Sequence, residues 1–84
     1  MPEIARFYGM VVKMFFQISE HNPPHYHVIY GDYTGQIDIQ SGEMIEGDLP
    51  FKAHNLIKEW NGMHKGELID MWNNQLIRKL PPLE

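Results

Sequence analysis

Apolar positions alternate with mixed ones through residues 7–18. Tyr8, Met10, Val12, Met14, Phe16 and Ile18 are all apolar, whereas Phe7, Gly9, Val11, Lys13, Phe15 and Gln17 are mixed. Period two over this length predicts one long strand with a buried face and a partly open one. A second strand follows over residues 25–30, with Tyr26, Val28 and Tyr30 on one face and His25, His27 and Ile29 on the other. Gly31-Asp32 then reads as a two-residue hairpin loop of type II′ or I′. A loop of that length sets the register. Tyr30 faces Tyr33, Val28 faces Gly35 and Tyr26 faces Ile37, with His27 opposite Gln36 and His25 opposite Asp38. A slip of one residue would break every pair.

Ser41-Gly42 marks another turn, and residues 43–47 form a short strand whose Glu43 and Glu46 discourage further pairing, as an edge requires. Asp48-Leu49-Pro50 opens the helical part, with Asp48 or Leu49 near the cap and Pro50 near the first turn. Ala53, Leu56, Ile57, Trp60 and Met63 make one amphipathic stripe. Leu68, Ile69, Trp72 and Leu76 make a second, about one position out of phase, with Gly62 and Gly66 between them. This predicts two helices with a break near the glycines, or one long bent helix. The expected fold is α+β: a four-stranded antiparallel meander covered on one face by two C-terminal helices, in the order ββββαα. Residues 1–84 form one domain, with the sheet in 1–47, the helical part in 48–78 and a frayed tail in 79–84. The histidine face of the second strand should point away from the helices.

Composition narrows the class. With 84 residues, 43% hydrophobic and 12% aromatic, there is enough for one core and too much for disorder. The absence of cysteine excludes disulfides and thiolate metal sites. No apolar run approaches a membrane span, and Met1-Pro2-Glu3-Ile4 lacks a signal-peptide pattern, so a cytoplasmic protein is expected. A net charge of −4 argues against a general nucleic-acid binder.

Candidate chemistry gathers in Glu20-His21-Asn22-Pro23-Pro24-His25-Tyr26-His27, which holds three of the five histidines. Proline fixes φ and pushes the preceding residue toward extended backbone, so the segment should be a stiff corner. His54 and His64 are read as helix-surface residues, and Trp60, Trp72 and the methionines as core filler.

Together with Met-Pro-Glu-Ile at the start, Arg6-Phe-Tyr-Gly and the His-x-Pro-Pro-His-x-His core, the chain resembles the domain of unknown function family 4160. Ile37-Asp38-Ile39, Gly42-Glu43 and the segments around Trp60 and Trp72 fit the same pattern. The resemblance implies a small bacterial protein, often encoded beside another small protein in a toxin–antitoxin-like pair. It favours a ribonuclease or a regulatory binding role.

Three chemistries suit the histidines. His21, His25 and His27 could close a three-nitrogen site for a divalent, zinc-like metal, with Asp38 in support. A cupin is excluded, because the Glu that its motif needs downstream is missing and the chain is too short for a jelly roll. Alternatively, His25 and His27 could serve as base and acid in RNA cleavage, with Asp38 orienting His25 and Arg6, Lys13 and Lys52 contacting phosphate. Third, Phe7, Val11, Phe15 and Ile29 would form an apolar strip on the open sheet face, fit to meet a second copy or a small cognate partner. Against all three stands a purely structural role, in which the imidazoles bond carbonyls at the proline corner.

Overall fold

The computed structural model describes residues 3–15 and 23–83. These residues form one antiparallel sheet of β1 (Glu3–Phe7), β2 (Met10–Lys13), β3 (His25–Tyr30), β4 (Tyr33–Asp38) and β5 (Met44–Gly47), followed by helix α1 (Phe51–Asn74). The strands lie side by side in chain order. The α+β class and the meander are as expected. The sheet has five strands where four were expected, and one helix replaces two.

The extra strand arises at Tyr8-Gly9. Both residues have left-handed φ, 49° and 80°, the signature of a type I′ hairpin turn. The chain therefore reverses within the stretch of apolar alternation, and Phe7 pairs with Met10. Directly opposed residues share a face, so Phe7 joins Met10 and Val12 in the core, its ring 5.5 Å from Trp60. Phe7 thus leaves the open apolar strip to which its odd position assigned it. A register shift between Glu3 and Ala5 lets both Ile4 and Ala5 point inward. Phe16 and Ile18, which would extend the strand, lie outside the described residues.

The β3–β4 hairpin matches the expected register at every pair, from His25 opposite Asp38 to Tyr30 opposite Tyr33. Gly31 has φ 60° and Asp32 is not left-handed, which selects type II′. Beyond β4, Gly42 takes φ 76° and donates its N–H to the Asp38 carbonyl at 2.7 Å. The ladder between β4 and β5 is irregular: Ile37 pairs with Met44 and Gln36 with Glu46, leaving Ile45 as an extra, half-exposed residue. Gly47 has φ 123°, and a Cβ there would lie 2.3 Å from the Thr34 carbonyl oxygen, so this site accepts only glycine.

Pro50, rather than Asp48 or Leu49, is the N-cap before Phe51 and brings no side-chain cap to α1. The helix closes with Gln75 in the left-handed region, where the Leu76 N–H returns to the Met71 carbonyl at 3.1 Å. His64, midway between Gly62 and Gly66, departs from helical geometry at φ −121°, ψ 17°. The helix therefore bends at the expected place without breaking. Its buried positions are Ala53, Ile57, Trp60, Asn61, His64, Leu68 and Met71, a continuous stripe whose middle is polar. Asn61 bridges layers, accepting from Tyr26 Oη and donating to the Ile39 carbonyl, both at 2.9 Å. His64 is buried rather than a surface residue, its Nδ1 2.7 Å from Glu67. His54 contacts the Gly42 carbonyl at 3.1 Å through Nε2.

The segment read as a frayed tail is docked. Leu80 and Leu83 are buried, and the Leu80 N–H donates to the Ile4 carbonyl at 2.8 Å. Trp60 Nε1 donates to the Pro81 carbonyl at 2.9 Å. Two buried leucines and two hydrogen bonds offset the cost of ordering so short a segment. No helix among the described residues is long and apolar enough to cross a membrane.

Candidate functional site

The face of the sheet turned away from α1 is built from every second residue of each strand. Its pairings make a polar row across all five strands: Glu3 opposite Lys13, Lys13 opposite His27, His27 opposite Gln36, and Gln36 opposite Glu46. Beside it runs a second row of Arg6, Val11, Ile29 and Thr34. Phe15 closes the strip, its ring edge-on to His27 at 4.8 Å. Val11, Phe15 and Ile29 are each only partly buried. Three of the four expected strip residues are therefore present on the outer face.

The two central histidines have different fates. His25 is buried, and its Nδ1 lies 2.8 Å from the Pro23 carbonyl. A carbonyl can only accept, so Nδ1 carries the proton. The His25 ring sits 5.4 Å from His27 and 5.2 Å from Trp72. It does not face open solvent, as a residue directed away from the helix would. Pro24 is also engaged, its carbonyl accepting from the Ile39 N–H at 3.0 Å. The corner is thus bonded to the strand beside it.

His27 is less enclosed, and burial together with the neighbouring His25 holds its pKa below the ordinary imidazole range. Its Nε2 is shut off from solvent with no hydrogen-bond partner among the described residues.

Asp38 sits opposite His25 but does not orient it. One carboxylate oxygen accepts from the Gln40 N–H at 2.9 Å, an Asx turn that shapes the β4–β5 loop. Of the three candidate phosphate contacts, Arg6 and Lys13 both neighbour Glu3 on the outer face, whereas Lys52 lies apart from them. Arg6 is paired with Glu3 at 2.8 Å, Lys13 faces His27, and Lys52 lies on α1 beside Tyr8, Met10 and Tyr30. His21 falls outside the described residues. Among those described, no three His, Asp or Glu side chains group so as to hold a metal ion.

Sequence reasoning missed a groove of about 560 Å³ along β4 and β5, lined by His27, Thr34, Gln36, Glu46 and Asp48. Asp48 Oδ1 accepts from the Thr34 N–H at 3.0 Å, and Gln36 Nε2 donates to Glu46 at 3.3 Å. The carboxylates of Glu46 and Asp48 thus belong to one wall. The signal was present in the spacing of Glu46 and Asp48, two apart as on one strand face, but reading it required the extra residue at Ile45.

Fold and site together define an open-faced antiparallel sheet backed by a single helix, with a mixed polar and apolar outer surface. The chain belongs to the family described as a domain of unknown function, DUF4160, whose model matches residues 9–73. That span carries β2 to β5, nearly all of α1 and all five histidines. No curated protein and no solved structure matches the chain.

Proposed function

We propose that this protein is a cytosolic binding module of a toxin–antitoxin-like or regulatory pair. Its outer sheet face meets a second copy or a small cognate protein. The observation that carries this reading is the strip of Val11, Phe15 and Ile29, partly exposed on the face that α1 leaves uncovered. An apolar strip beside a row of polar groups is the composition of an interface core with its rim. The fate of His25 supports the same reading, because a buried imidazole bonded to its own corner is poorly placed for proton transfer to a substrate.

A second reading is an endoribonuclease centred on His27. It is supported by the lowered pKa, which leaves the imidazole neutral near pH 7, and by Lys13 directly across the ladder. Incubation of the purified protein with a fluorescent single-stranded RNA separates the two. The binding reading expects no cleavage above a buffer control. Cleavage that disappears in His27→Ala, with the fold retained, would replace it with the nuclease reading.

A further inference from the structure

The two edges of the sheet are finished differently. At β1 the C-terminal segment lies along the edge, with the Leu80 N–H on the Ile4 carbonyl at 2.8 Å. At β5 nothing comparable occurs among the described residues. Among the described residues, no backbone hydrogen bond leaves Met44–Gly47 on the side away from β4. An open edge presents a row of unpaired N–H and C=O groups, a template for another strand.

Charge says which strand. Residues 31–50 contain Asp32, Asp38, Glu43, Glu46 and Asp48 and neither Lys nor Arg. Glu43 is engaged by Lys58 at 3.3 Å, but Glu46 and Asp48 have no cationic partner among the described residues. These two carboxylates line the groove over the outer face of β4 and β5, which His27 also lines. A second copy of this chain is a poor occupant, because edge-to-edge pairing would bring two acidic strands together. A strand bearing arginine or lysine is a good one: its backbone completes the ladder and its alternate side chains reach the carboxylates.

We propose that the open edge of β5 docks an extended basic segment of the partner protein by strand addition, with its cationic side chains held by Glu46 and Asp48. The inference rests on the reading of this protein as a binding module and names the chemistry of the partner. Half-exposed Ile45 offers an apolar contact to the incoming strand.

The test uses a synthetic octapeptide, Arg-Val-Lys-Val-Arg-Thr-Lys-Val, blocked at both ends. It is titrated into the full-length protein and followed by amide NMR shifts at about 150 mM salt, where exposed charges are screened within roughly a Debye length. Saturable shifts centred on residues 33–38 and 44–48 are expected. Methylating alternate peptide nitrogens keeps the charge but removes the ladder donors, and should weaken binding about tenfold or more. Glu46→Gln with Asp48→Asn should do the same, and Asn retains the oxygen that accepts from Thr34. No binding, shifts centred elsewhere, or equal affinity of the methylated peptide overturns strand addition at β5. If the peptide fails while Ile29→Glu still dissociates the protein's complex, the edge proposal falls alone and the outer-face reading stands.

Discussion

Nδ1 of His25 donates to the carbonyl of Pro23, two residues back along the chain, at 2.8 Å. The ring that makes this bond is also packed against His27 and Trp72, so it ties the proline corner to both the sheet and the end of α1. Its removal should therefore be felt in stability. His25→Ala loses a hydrogen bond and leaves a small cavity, at a cost of about 2–3 kcal/mol. Urea unfolding checks this, and a midpoint equal to wild type would show that the bond holds nothing.

His27 makes stability depend on pH in a defined direction. Its folded pKa is lowered, so between the ordinary value near 6.5 and that lower value the unfolded chain binds more protons than the folded one. Its contribution is complete above the ordinary pKa and is lost as pH falls toward the folded one. Thermal midpoints of wild type and His27→Gln, compared from pH 7.5 down to 5, should converge on acidification. Curves that stay parallel would show that His27 is not the source.

Asn61 joins Tyr26 Oη to the Ile39 carbonyl inside the core, where burial also raises the Tyr26 pKa. Tyr26→Phe should cost about 1 kcal/mol, and Asn61→Ala about 2–3 kcal/mol because it strands two buried partners. The double variant should cost less than the sum, since the bond between the two is lost only once. Additive losses in chemical denaturation would contradict the bridge.

The C-terminal segment behaves as part of the fold. Ending the chain after Lys79 removes Leu80, Leu83 and the acceptor for Trp60 Nε1. About 3 kcal/mol should be lost, with a red shift of tryptophan emission as Trp60 gains access to water. Unchanged stability and emission would mean that the docked segment contributes nothing.

Legibility varied with the length of the signal each element depends on. The β3–β4 hairpin was readable to the pair because glycine in a two-residue loop sets both turn type and register. The β1–β2 hairpin was not, because Tyr8 is an unusual residue for a left-handed position and its ring extends the apolar alternation. In α1 the apolar stripes looked out of phase because the residues that join them, Asn61 and His64, are polar and buried. The docked tail could not be read, since proline-flanked leucines at a terminus look the same free or packed. Of the site, the outer-face placement of His27 followed from alternation, whereas the groove with Glu46 and Asp48 depended on an irregular ladder that no period reveals.

On the proposed reading the outer face meets another protein surface through Val11, Phe15 and Ile29. Light scattering coupled to gel filtration tests it most directly, on the wild type and on Ile29→Glu at matched concentration, with the cognate partner added wherever the wild type runs alone as a monomer. The wild type is expected to assemble with itself or with the partner, and Ile29→Glu to elute as a folded monomer. An assembly of unchanged mass in Ile29→Glu would contradict the proposed reading.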